Sequence, residues 1–410
     1  MHADIHEETQ WVEPGLQTQA PELHTKLWYR CAGTFAVTAF WLSSVMPSAD
    51  TTAAVTQLAA RNVEIALTQE PVLDFRHSSA SDAIAQTYQA FHLHGGGYYI
   101  DDIDSISGFA TTWHQYQLLN MLRTASLLNK NPEMNFDSLI TQGVTAINTY
   151  WDNSPAGYPS GYDAAKNFGL SKPERYVDDN LWMAQFLLHQ YQETGNKAYL
   201  NRVEKIMDLF MSQSDSVSGG TYWKEQLPGQ ADHGRVMASN APAIPTLVTM
   251  YLLTHNAKYL AAAEQTYNWI QQLRDPDTGL YFDNFMSNGQ PQKIFYTYNQ
   301  AEVLSSMVAL NKLNPTRYPL SSAITFAQTT MDYFSSHIGY GDSMLDADCL
   351  KQLMHLAGIV NSPILTASTL HAIDLVKATF QSPANTLADA AAKATILALS
   401  ELPFSSWSKL

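Results

Sequence analysis

The sequence predicts an all-α protein folded as an (α/α)6 barrel, a closed ring of six inner and six outer helices. Two observations lead there. The segments Glu193-Thr-Gly-Asn-Lys-Ala-Tyr-Leu200, Leu253-Thr-His-Asn-Ala-Lys-Tyr-Leu260 and Leu313-Asn-Pro-Thr-Arg-Tyr-Pro-Leu320 recur at a near-constant interval, marked by Tyr199, Tyr259 and Tyr318. The stretch before each segment is apolar nearly all round and the stretch after it is amphipathic, so each segment joins an inner helix to an outer one. Hairpins of this length cannot each bury an inner face alone; neighbours must cover it, and the chain is long enough for six of them to close a ring. An open solenoid is the competing arrangement.

Residues 1–25 are polar, carry Pro14 and Pro21 and show no helical period. Lys26-Leu-Trp-Tyr-Arg30 then supplies positive charge, residues 31–45 form an uncharged, largely apolar run, and Pro47-Ser48-Ala49 offers a cleavage site before Asp50. This is the pattern of an export signal behind a long leader. It predicts a secreted or cell-envelope protein with a leader over 1–49 and one barrel domain over 50–410. The 31–45 run is short for a membrane span, so no stable membrane insertion is expected; a signal anchor and a buried segment are the other readings. With Cys31 removed, Cys349 is the one remaining thiol, which leaves no intrachain disulfide or cysteine metal cluster. The formal charge of −15 without any Lys/Arg cluster argues against nucleic acid or an anionic membrane as partner.

Helices are expected over 53–67 and 81–90 as the opening hairpin, then as inner and outer pairs over 116–128 and 136–150, 181–191 and 200–210, 243–253 and 260–270, 303–313 and 324–334, and 349–359 and 367–380. A last helix follows over 387–402. The stretch Pro173-Glu-Arg-Tyr-Val-Asp-Asp-Asn-Leu-Trp182 places two consecutive carboxylates, Asp178 and Asp179, at the mouth of an inner helix. Asp and Asn are preferred caps and Gly a preferred stop, so this helix is expected to start near Asn180 and end at Thr194, before Gly195. The positive helix end favours an ionised carboxylate, while repulsion between the two raises one pKa. One ionised and one protonated carboxyl is the pair that acid/base chemistry on a sugar requires. A capping Asp beside a solvated one is the structural alternative.

The offset that aligns the hairpins also aligns polar residues at inner-helix starts, since Asn180, Asn240 and Asn299 recur at nearly the same interval. Asn180, Asn240, Tyr298 and Asn299 are therefore expected as substrate contacts around one shared depression, with simple capping as the alternative. Trp113, ahead of the 116–128 helix, and Tyr222 and Trp223, after Gly219-Gly220, are placed to lay an aromatic face on a sugar ring, against packing as the other reading. Trp182 reads as core.

Five blocks, Tyr176-Val-Asp-Asp-Asn-Leu-Trp182, Gly219-Gly-Thr-Tyr-Trp-Lys224, Ser239-Asn-Ala-Pro242, Asp275-Pro-Asp-Thr-Gly-Leu-Tyr281 and Thr297-Tyr-Asn-Gln300, occur in an order that resembles glycoside hydrolase family 76, the α-1,6-mannanases, over roughly residues 80–350. The resemblance implies an (α/α)6 barrel and a retaining endo-α-1,6-mannosidase that hydrolyses α-1,6-linked mannan through a covalent glycosyl-enzyme, without a cofactor. It also implies Asp178 as nucleophile and Asp179 as acid/base. The chain departs from the family after residue 340, reading Asp348-Cys-Leu-Lys-Gln352 where the family carries an aromatic-Lys-Gly segment.

Other polar clusters carry blander readings. Asp101, Asp102 and Asp104 form a rival acidic group, solvated or binding a hydroxyl. His92 and His94 have ligand spacing without a third partner, and Asp275, Asp277 and Asp283 lack the closing Glu of a calcium loop, so no metal is expected. Transglycosylation is the nearest functional variant. A sugar epimerase of the same ring fold would use paired histidines, yet His189 and His355 lie deep in their helices. A glycan-binding protein without turnover would lack the aspartate pair.

Overall fold

The computed structural model describes residue 57 and residues 73–93, 98–101, 109–128, 134–153, 159–166, 174–217, 219–226, 234–285 and 289–410. Twelve α-helices fall among them: α1 (Ala80–Phe91), α2 (Thr112–Leu128), α3 (Phe136–Ile147), α4 (Val177–Thr194), α5 (Lys197–Ser212), α6 (Ala243–Thr254), α7 (Ala257–Ile270), α8 (Thr297–Leu313), α9 (Leu320–Tyr333), α10 (Ser343–Val360), α11 (Pro363–Ala378) and α12 (Leu387–Glu401). The even-numbered helices stand side by side in chain order, and α12 packs back on α2, closing the ring; each is backed by an odd-numbered helix. This is the (α/α)6 barrel that the repeat predicts. Two small antiparallel pairs, β1 (His92–Leu93) with β2 (Tyr98–Tyr99) and β3 (Trp151–Asp152) with β4 (Gly161–Tyr162), sit in connecting loops.

The repeated segment makes a hairpin for a local reason. Gly195 takes a left-handed φ of 69° and ends α4, and His255 (54°) and Asn361 (50°) end α6 and α10 the same way, a conformation that stops a helix and turns the chain. Asn196 and Asn256 follow at once and cap α5 and α7 by accepting the Ala198 and Lys258 N–H groups, the ordinary role of an N-cap asparagine. The outer helix that follows buries one face, in α5 Val203, Ile206, Met207, Leu209 and Phe210. The inner helices bury side chains on every side.

Two boundaries differ from expectation. The sixth inner helix is α12, partnered by α1 as its outer helix; the 53–67 stretch, like the 26–49 segment with Cys31, lies outside the described residues apart from Gln57. Ala390, Ala391, Ala394 and Ala398 are fully buried in α12, and their small side chains let α2 and α10 close on it at interior packing density. The second difference is the start of α4, at Val177 rather than near Asn180. Among the described residues no helix is long and apolar enough to cross a membrane.

A 3₁₀ helix, Phe404–Lys409, lies across α10 at Gly358. A Cβ there would sit 2.5 Å from the Ser408 nitrogen and 2.8 Å from the Trp407 carbonyl carbon, backbone atoms that cannot rotate away. Gly358→Ala should therefore cost about 1–3 kcal/mol through overpacking. Calorimetry should find a lower melting temperature with unchanged helical content, and an unaltered melting temperature would contradict the close contact.

Candidate active site

The inner helices that carry the aligned polar residues begin at one end of the ring, and the loops there interlock. Asn180 donates to the carbonyls of Tyr162 (2.9 Å) and Tyr176 (2.8 Å) and accepts the Tyr162 N–H (2.7 Å). Asn240 makes the same set with Thr221 (3.1 and 2.8 Å) and Val236 (2.8 Å), and Gln300 with Tyr281 (2.9 and 2.9 Å) and Tyr296 (3.2 Å). Each amide thus clamps the loop that precedes its own helix. The same loops reach the inner helix before: Ala164 O accepts the Thr112 N–H (2.8 Å), Trp223 O the Val177 N–H (2.8 Å) and Asp283 O the Met237 N–H (2.7 Å). Adjacent helix starts are welded by buried, paired hydrogen bonds.

Above this framework opens a cavity of about 440 Å³. Thr111 and Trp113 line it from the start of α2, Asp178, Asp179 and Trp182 from α4, Tyr298 from α8 and Leu345 from α10, with Tyr176 and Trp223 on its rim. Trp113 stacks on Tyr116 at 5.6 Å and lies 5.5 Å from Trp182, so an aromatic floor adjoins the carboxylates. Trp182 is core, as expected, and cavity wall as well.

The structure separates the remaining sequence candidates. Asn180 and Asn240 are fully buried and turned to their loops, so they are clamps and not cavity contacts. The third member of that series is Gln300, which stands as far beyond Asn240 as Asn240 stands beyond Asn180. Asn299 is also buried and donates to Asp283 Oδ1 at 3.0 Å, away from the lining. Tyr222 lies beneath the Arg235 guanidinium at 4.9 Å and does not line the cavity. Asp101 pairs with His114 and accepts the Thr111 N–H, a local tie at the start of α2; Asp102, Asp104 and His94 lie outside the described residues. Asp275 is held in a surface turn by Thr278, whereas Asp283 points inward and accepts the Tyr298 O–H at 2.7 Å. The repeat could have found it: Trp223 and Asp283 occupy equivalent loop positions, each giving its carbonyl to the start of the preceding inner helix.

Asp178 and Asp179 occupy the first turn of α4, half-buried on the cavity floor. Burial pushes both carboxyls up, since a low-dielectric wall disfavours charge. The two are nevertheless held differently. Asp178 accepts the Trp223 indole N–H (2.8 Å) and the Asp179 backbone N–H (3.0 Å), and these bonds pull it back toward the ionised form. Asp179 is raised further by the Asp178 charge. Behind them, burial and the Asp152 charge lift Asp163 to about 7, and burial lifts Asp346, which accepts the Thr297 hydroxyl at 2.8 Å, to about 7.

A second cavity, of about 530 Å³, opens at the opposite end of the ring and contains His189 and His355 beside Arg123, Lys312 and Lys351. Burial and those cations hold both imidazoles below their ordinary range. The divergent Asp348–Lys351 segment lies at its inner end, where Lys351 pairs with Asp348 (3.1 Å) and reaches Asn120 (3.3 Å) and Tyr116 (3.4 Å).

A family model described as Glycosyl hydrolase family 76 matches residues 76–397. Comparison with curated proteins gives no match. Among solved structures, a GH76 α-mannanase of Bacteroides thetaiotaomicron is similar at a TM-score of 0.67 with 17% identity, covering 80% of this chain and 96% of that one. An α-1,6-mannanase of Salegentibacter sp. HEL1_6 in complex with α-1,6-mannotriose, an inactive variant with two consecutive aspartates changed to asparagine, gives 0.63 with 16% identity over 79% and 98%. A D-mannose isomerase gives 0.55 with 12% identity over 80% and 97%. At these identities the structural likeness establishes the ring.

Proposed function

The chain belongs to glycosyl hydrolase family 76 and is a glycoside hydrolase, and on that premise we propose that it is a retaining endo-α-1,6-mannosidase acting on mannan. The observation that carries this reading is the unequal holding of two neighbouring carboxyls beside an aromatic floor. Asp178, steadied in its ionised form by two N–H donors, attacks the anomeric carbon as the glycosidic bond breaks. Asp179, raised by burial and by the Asp178 charge, gives its proton to the leaving oxygen. A water then attacks the glycosyl-aspartate, and Asp179 takes the water's proton as that bond opens. The mannotriose-bound relative supports the substrate class.

Aromatic side chains extend the cavity on two sides, Tyr176 beside Trp223 (5.0 Å) and Tyr296 stacked on Tyr298 (5.8 Å). Such flanking faces suit a polysaccharide lying across the aspartates, which favours cleavage within a chain. An isomerase reading finds little support, because His189 and His355 line the opposite cavity. The test is proton NMR during the first minutes of reaction on debranched α-1,6-mannan. The α-anomer should appear first and the products should be oligosaccharides. First appearance of the β-anomer would overturn the retaining route, and longer transfer products would identify a transglycosylase.

A further inference from the structure

The geometry points to Trp223 as a positioning residue: its indole N–H selects which of the two adjacent aspartates carries the negative charge. This rests on the retaining-hydrolase reading for its catalytic meaning, although the contact itself does not. Sequence reasoning casts Trp223 as a sugar platform. In the structure the indole edge is aimed at a carboxylate instead, with Nε1 2.8 Å from Asp178 Oδ2.

Three features make the contact more than a chance approach. The Trp223 backbone is fixed on both sides, its carbonyl accepting the Val177 N–H at 2.8 Å and its own N–H donating to Gly234 O at 2.9 Å. The neighbouring Lys224 pairs with Tyr176 in an antiparallel bridge. The loop therefore cannot carry the indole away from Asp178 without disturbing the first turn of α4. Second, the equivalent position in the loop before α8 is an aspartate, Asp283, whose carbonyl takes the same part as Trp223 O and whose carboxylate accepts hydrogen bonds from α8. A carboxylate at 223 would set a third negative charge against Asp178 and Asp179; the chain places a donor there. Third, Trp223 remains 41% exposed, so its ring face stays open toward the cavity while its edge holds Asp178. A hydrogen bond to a charged acceptor is stronger than a neutral one and stabilises the ionised form.

The ionisable groups that bear on Asp178 are Asp179 on its own helix, Tyr298 of α8 with Asp283 behind it, and Tyr176 with the Lys224–Glu174 pair. Trp223→Phe alters none of them. It removes the N–H while retaining an aromatic ring.

The experiment is the pH profile of kcat for wild type and Trp223→Phe on debranched α-1,6-mannan, together with a pH titration of tryptophan emission in wild type and Asp178→Asn. The acidic limb, which reports ionisation of Asp178, should move up by roughly one pH unit in Trp223→Phe, because loss of one charged hydrogen bond is worth about that much. KM should change by less than about threefold, since binding does not use the bond. Wild-type emission should show a step through the same acid range, and Asp178→Asn should lack it. An unshifted acidic limb, or a KM effect alone, overturns the inference and returns Trp223 to a sugar platform. If Trp223→Phe fails to fold, the emission step decides: its persistence in Asp178→Asn overturns the contact. Absence of turnover on mannan by the wild type would sink the functional reading instead, and the emission arm would still test the bond.

Discussion

Asp178→Asn should lower turnover on α-1,6-mannan by at least about 10⁴-fold, on the order of 5.5 kcal/mol in barrier. The amide has no charge with which to attack an anomeric carbon, and no covalent intermediate forms. Its one oxygen can accept only one of the two N–H groups that Asp178 holds on separate oxygens, but the bond from Val177 N–H to Trp223 O remains, so the first turn of α4 should persist. Circular dichroism and melting temperature should stay near wild type, which separates lost chemistry from lost folding. The loss should be the same for a substrate with an activated aryl leaving group, because without the nucleophile even a good leaving group gives no glycosyl-enzyme. Residual activity above about 1% of wild type would require the nucleophile to be elsewhere.

Asp179→Asn has a different signature although the two residues are neighbours. Mannan, with a poorly leaving sugar oxygen, should lose about 10²–10⁴-fold, the usual contribution of a general acid. An aryl α-mannoside with an activated leaving group should still form the glycosyl-enzyme at a rate near wild type. Its breakdown then lacks a base and becomes limiting, so a burst of aryl alcohol should precede a slow steady state. Azide needs no deprotonation, and added azide should speed the second step and give an α-mannosyl azide. The basic limb of the aryl-mannoside pH profile should also vanish, since it reports loss of the Asp179 proton. Equal losses for both substrates, with no azide product, would remove Asp179 from the acid/base role.

The ring and the location of the cavity were legible because both follow from a repeat written in the chain. Tyr199, Tyr259 and Tyr318 marked the hairpin turns, and capping chemistry at Gly195, Asn196, His255 and Asn256 made those turns. The start of α4 escaped because capping preference is a local rule, whereas here a distant loop supplies the cap. Trp223 O takes the Val177 N–H, one of the donors a helix start leaves without an intrahelical partner, and Asn180 turns to clamp Tyr162. Alignment by residue type likewise picked Asn299, when the position in strict register, Gln300, keeps the hydrogen-bonding role with a longer side chain. The ring-closing role of the last helix was missed because an alanine-rich run carries little periodic signal. Its fitness for the ring lies in the absence of bulk, which only its neighbours reveal.

That closing helix has a consequence for biosynthesis. α12 wedges between α10 and α2, yet α2 is made long before residues 387–401. A nascent chain emerging from the ribosome can stack five inner helices in order but must wait with the flanks of α2 and α10 bare, an open horseshoe with an oily gap. Such unsatisfied edges invite contact with chaperones or with other nascent chains. The welded loops at the helix starts would hold the horseshoe in shape meanwhile, so that final assembly resembles the snapping of a clasp more than a collapse.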